Sequence, residues 1–90
     1  MENAKKSAAF QEAKNAWTEY LATIDYTQAE PEKDLVIVVD GYYVTVESGK
    51  IATTAVKGAV TVAEGKTAID TNTADDASVY KKADVTLPTA

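Results

Sequence analysis

Apolar positions follow two different periods along this chain. In the first stretch Phe10, Ala13, Trp17, Tyr20, Leu21 and Ile24 recur at steps of three and four. Lys5, Lys6, Glu12, Lys14 and Glu19 fall mostly on other sides of the wheel. That period predicts an amphipathic helix over residues 3–25, alanine-rich in its first half, with Asn3 as N-cap. Pro31 forbids its continuation. Residues 26–34 are polar and read as a connector between the helix and a sheet.

The second period belongs to short β-branched runs. Leu35–Val39, Tyr42–Val46, Ile51–Val56 and Ala59–Ala63 are set off by Gly41, Gly49, Gly58 and Gly65. Glycine supplies the positive φ of a tight turn without a Cβ clash, so this spacing predicts an antiparallel β-meander within residues 35–88. Asp40-Gly41 matches the preferred type I′ hairpin turn, and Glu47–Lys50, Lys57-Gly58 and Glu64–Lys66 read as further turns. Ala68-Ile69 reads as the opening of a short strand, Val79-Tyr80 and Val85–Leu87 as short edge strands, and Asp70–Asp76 as a polar loop. Pro88 limits pairing beyond it.

Leu35–Val39 is apolar without alternation, the mark of a strand buried on both faces. One helix covers one face of a sheet. The other face therefore needs either the C-terminal strands folded over as a second layer or another subunit. The fold class expected is α+β: a single domain over 1–90, with the N-terminal amphipathic helix packed on an antiparallel β-meander of roughly four to six short strands. A small β-sandwich with an N-terminal helical arm is the second arrangement. The helix-then-meander order resembles that of cystatin-like domains, a likeness of topology that implies no function by itself.

Composition narrows the picture further. A chain of 90 residues buries only about 60–65% of the surface its unfolded form exposes. It contains no cysteine and no histidine, which removes disulfides and the usual structural zinc site. A thin core without such staples is often completed by partner subunits. The net charge is −5 and all 9 basic residues are lysines. Without arginine's planar fork, and with an acidic balance, nucleic acid and anionic membranes are poor partners. No segment approaches the length and apolarity of a secretory signal or a membrane span. With Met1 as the native start, the expected location is a virion or the cytoplasm of the producing cell. With Met1 not native, an extracellular or periplasmic location is the expectation.

The candidate chemistry is thin. Gly65-Lys66-Thr67 ends like a phosphate-binding loop, but Val60 stands where the first glycine belongs and a strand comes next, so a turn is the better reading. Asp70, Asn72, Asp75 and Asp76 open like a calcium loop. Ala74 and Asp75 then break the pattern, and Lys81 stands where the bidentate acid belongs. A looser oxygen-rich cation site is the alternative there to a solvated acidic loop. Ser7, Ser48 and Ser78 lack the motif context of a nucleophile, and nothing singles out an acid–base pair among the 14 carboxylates. The expectation is a protein that is not an enzyme, with no cofactor and no metal.

Consecutive strand residues point to opposite faces, so one of Tyr42 and Tyr43 is expected to project away from the helix. An outward tyrosine is a good contact residue for another protein, and Trp17 joins the pair as the third candidate partner-binding residue. The expected function is a non-enzymatic structural or assembly protein, joining copies of itself in a homo-oligomer or adding to a larger protein lattice. Gly58-Ala-Val-Thr-Val-Ala-Glu-Gly65 and Val85-Thr-Leu-Pro88 resemble the tail of β-rich capsid-decorating proteins of phages. That resemblance implies a small virion component. The alternative is a secreted or surface ligand- or inhibitor-type binding domain, monomeric, with a concave sheet face lined by Tyr42 and Tyr43.

Overall fold

Alanine sets how closely the helix approaches the sheet. In the computed structural model, which describes residues 2–27, 30–72 and 77–88, α1 runs over Glu2–Thr27. Its most buried positions are Ala9, Ala13, Ala16 and Tyr20, at steps of four, three and four. Three methyl groups make a shallow stripe, so the helix backbone lies close to the sheet. Phe10, Trp17, Leu21 and Ile24 are only partly buried against the same core. They form a second row, about a quarter-turn round the helix from the alanine stripe.

The helix bounds differ from the expected 3–25. Asn3 lies inside α1 rather than capping it, because the helix already begins at Glu2. At the other end Thr23 lies within the helix. Its Oγ1 donates to the Glu19 carbonyl at 3.1 Å, as Thr18 Oγ1 does to the Lys14 carbonyl at 2.9 Å, so each hydroxyl is satisfied within the helix. Helical backbone continues through Tyr26 and Thr27, and the connector is shorter than expected.

Among the described residues eight strands succeed the helix: β1 Leu35–Val39, β2 Tyr42–Glu47, β3 Lys50–Ile51, β4 Val56–Lys57, β5 Thr61–Val62, β6 Asp70–Asn72, β7 Ala77–Lys81 and β8 Val85–Thr86. The main sheet has six of them in the order β3-β2-β1-β7-β6, with β4 also paired to β2. Each of these pairings is antiparallel. This is an α+β fold with one N-terminal helix on an antiparallel, meander-like sheet. The meander holds from β1 to β4. The chain then departs, and the β6–β7 hairpin returns on the far side of β1.

That return makes β1 the central strand, paired Leu35↔Val46 on one side and Leu35↔Lys81 on the other. Leu35, Val36 and Ile37 are fully buried and Val39 nearly so, as the unbroken apolar run predicts. It also corrects the expectation for Val79-Tyr80. These residues lie in β7, flanked by β1 and β6, and not at an edge. The edge is β6, where a polar loop was expected; Asp70 pairs with Val79 and Thr71 with Ser78.

Two turns also differ from expectation. The Asp40-Gly41 turn has left-handed backbone only at Gly41, φ 77°, whereas type I′ needs positive φ at both central residues. The turn that meets this requirement comes one hairpin later, at Ser48 (φ 53°) and Gly49 (φ 79°). Between Ile51 and Val56 the expected single strand is broken. Ile51 pairs with Val46 and Val56 with Tyr43, so five steps on one strand face three on the other. The two extra residues bulge outward at Thr53 and Thr54, and Ala55 turns inward to full burial. Such bulges blunt a sheet edge against stray pairing.

The second face of the sheet carries Val36, Val38, Tyr43, Thr45, Val56, Ser78 and Tyr80, by register with β1. Over its Tyr43 end lie Gly58 and Pro88, which flank the two-stranded β5–β8 sheet. A Cβ at Gly58 would fall 2.7 Å from Pro88 Cγ and 3.4 Å from Tyr43 Cε1, so only glycine fits between them. Of the two covers expected for this face, the chain itself supplies part. The segment 58–62 and the β8–Pro88 ending fold back as a small second layer.

Candidate functional site

Three places on the molecule combine polar and apolar groups in a way that bears on function: the connector before β1, a cleft under the second layer, and the flank of α1.

The connector is tied down at both sides. Glu32 N–H donates to the Tyr20 hydroxyl at 3.1 Å, anchoring it to α1. Gly49 N–H donates to the Lys33 carbonyl at 3.0 Å and Ser48 N–H to Asp34 Oδ1 at 3.1 Å, anchoring it to the β2–β3 turn. Lys82 N–H donates to the Asp34 carbonyl at 3.1 Å. Two ion pairs, Lys81–Glu32 at 3.6 Å and Lys82–Glu47 at 3.4 Å, lie in the open with side chains about half exposed. Exposed pairs of this kind contribute little to stability. The backbone bonds and the Asp34 carboxylate hold this end of the fold.

The cleft opens between the β1–β2 turn and the second layer. It has a volume of about 330 Å³ and is lined by Val38, Val39, Asp40, Gly41, Gly58, Ala59, Val60 and Ser78. Its walls are largely apolar, and the Asp40 carboxylate and Ser78 hydroxyl are the side-chain polar groups on its lining. Gly58 N–H is engaged with the Gly41 carbonyl at 3.0 Å. The cleft is shallow and open to solvent.

The flank of α1 carries Phe10, Trp17, Leu21 and Ile24, all half-buried, with exposed Lys14 and half-buried Lys6 alongside. Trp17 is thus the residue among the three partner-binding candidates that retains partial access. Tyr42 is 7% exposed and lies on the helix side of the sheet. Tyr43 does point to the opposite face, as strand alternation requires, but it is only 8% exposed because Gly58 and Pro88 cover it. The expectation of an outward, accessible tyrosine is corrected by that second layer. Tyr42 and Tyr43 lie on opposite faces, so no single concave surface carries both.

The remaining motifs resolve simply. Lys66 N–H donates to the Ala63 carbonyl at 3.0 Å, closing a turn at Gly65 with no helix after it. Asp70 is half-buried in β6; Asp75 and Asp76 lie outside the described residues, as does the side chain of Asn72. Among the described residues, no three acidic side chains converge where a metal ion would sit. Also among these, no helix is long and apolar enough to cross a membrane. What the helical period concealed is the alanine stripe. Ala9 and Ala16 carry the packing, and the small-residue spacing at 9, 13 and 16 was the signal for it.

Comparison with known proteins gives no match: no family model fits the chain, and no curated protein or solved structure matches it.

Proposed function

We propose that this chain is a non-enzymatic structural module that assembles with other protein through the flank of α1. Its most concrete form is a small phage virion component such as a capsid decoration protein. The observation that carries the reading is the division of labour on the helix. Alanines make the close contact with the sheet, while Phe10, Trp17, Leu21 and Ile24 stand half-buried beside them. The larger residues also pack against the domain's own core, but at its margin, where part of each side chain remains accessible. Aromatic and aliphatic side chains bordered by lysine are the composition of an interface core and rim. The absence of histidine, cysteine and arginine from the sequence supports the same reading, since it leaves few groups suited to catalysis.

The test is sedimentation of tagged protein from its producing cell through a density gradient. An assembly component travels with heavy particles, and Trp17→Lys returns it to the light fractions while circular dichroism shows the fold retained. Wild-type protein confined to the light fractions overturns the reading.

A further inference from the structure

We infer that the cleft beneath the second layer is a binding site for a small organic cation, a single ammonium carried on a short apolar body. The site goes beyond the assembly reading and uses a different part of the molecule. Val38 and Ser78 are cross-strand partners and therefore share the second face of the sheet. Ala59 and Val60 line the cleft from the second layer, and Asp40 and Gly41 from the β1–β2 turn. The bond from Gly58 N–H to the Gly41 carbonyl, 3.0 Å long, ties these two sides together, so the recess is formed before a ligand arrives. Its volume of about 330 Å³ falls at the lower end of the range of small-molecule sites, about 300–1,000 Å³. Eight residues line it, whereas a stable protein contact takes about 20–30 residues on each side. The size selects a small molecule.

The lining selects its chemistry. Val38 and Val60 are half-buried and Ala59 is exposed, so an apolar group entering the cleft removes surface that is still in contact with water. Asp40 is the charged side chain among the lining residues, and no lysine stands with it. Its carboxylate takes part in neither ion pair described above and in no side-chain hydrogen bond among the described residues. Ser78 Oγ is likewise without a partner among the described residues. Two acceptors beside apolar walls suit a ligand that donates N–H bonds from a cationic head. An anion is disfavoured by Asp40 and by the chain's net charge of −5. A bare ammonium gains nothing from the valines and stays in water.

The experiment follows amide and methyl resonances of the full chain by nuclear magnetic resonance as four probes are added in turn. They are phenethylammonium, 2-phenylethanol, 3-phenylpropionate and methylammonium. Phenethylammonium is expected to shift Gly41, Gly58, Ala59 and Val60 saturably. The alcohol is expected to bind roughly fivefold more weakly, and the propionate and methylammonium not to saturate. Asp40→Asn leaves a turn-compatible residue before Gly41, so the fold is kept. It is expected to weaken phenethylammonium roughly fivefold, the scale of an accessible ion pair, and to leave the alcohol unchanged. Glu19→Gln makes the same change of net charge at an exposed position on α1 and is expected to alter nothing. Absence of a saturable shift at the cleft overturns the inference. So does a cation bound no better than the alcohol or the propionate, or methylammonium bound as tightly as phenethylammonium. Indifference to Asp40→Asn overturns it too, as does an equal loss with Glu19→Gln, which would trace the attraction to net charge.

Discussion

Asp34 accepts the Ser48 amide through Oδ1 at 3.1 Å, and Ser48 is the described non-glycine residue with a left-handed backbone, φ 53°. A residue just before the sheet thus holds in place the most constrained turn within it. The hydrogen bond is local compensation for a conformation that costs an L-residue about 1–2 kcal/mol.

Removing the acceptor isolates that contribution. Asp34→Ala is expected to lower stability by about 0.5–1 kcal/mol, and Asp34→Asn, which keeps an oxygen at the same place, by less than half of that. Urea unfolding of the two variants measures it. Equal losses would mean that the carboxylate acts through its charge and not as an acceptor for Ser48.

The turn itself can be improved. Ser48→Asn converts Ser-Gly to the Asn-Gly pair that type I′ turns favour, and is expected to raise stability by about 0.5–1 kcal/mol. A shift of the thermal midpoint upward by a few degrees is the corresponding readout for a domain of this size.

Gly58→Ala tests the second layer. Its Cβ would meet Pro88 Cγ at 2.7 Å, and a proline ring in van der Waals contact has little freedom to withdraw. A loss of about 1–3 kcal/mol is expected, with Tyr43 fluorescence and near-ultraviolet dichroism reporting a loosened environment. An unchanged midpoint would show that the ending at Pro88 does not rest on the sheet.

The alanine stripe makes an opposite demand to the helix flank. Ala13 is fully buried, and Ala13→Leu is expected to cost about 1–3 kcal/mol by forcing α1 off the sheet. Leucine at exposed Lys14, one residue on, is expected to leave stability within about 0.5 kcal/mol of the parent. Paired denaturation curves decide between this picture and one in which the helix tolerates repacking.

Much of this architecture was legible because its signals are local. The helical period, the run at Leu35–Val39 and the glycines depend on neighbours within a few residues. The connector's charges also marked it as surface chain, although not as the tether it is. Other features depend on contacts distant in sequence. Val79-Tyr80 reads as an edge because few apolar residues stand near it; its place beside β1 comes from long-range pairing with Val36 and Ile37. Tyr43 reads as outward by alternation, and the cover from Gly58 and Pro88 has no local signature. On the helix, size is a poor guide to burial. The large apolar residues dominate the period, while the alanines between them make the closest contact.

The insertion of β7 beside β1 has a consequence for the order in which the protein can form. As the chain emerges from the ribosome, α1 and the β1–β2 hairpin are complete long before Ser78–Lys81 is synthesised. Until then the open side of β1 presents an unpaired, wholly apolar strand, ready to template pairing with another nascent chain. Closure must await a long loop, so folding is expected to be slow for so small a domain and sensitive to crowded synthesis. Lys81 and Lys82, at and directly after the last rung, would then act as the charged stop that keeps a late-arriving strand in register.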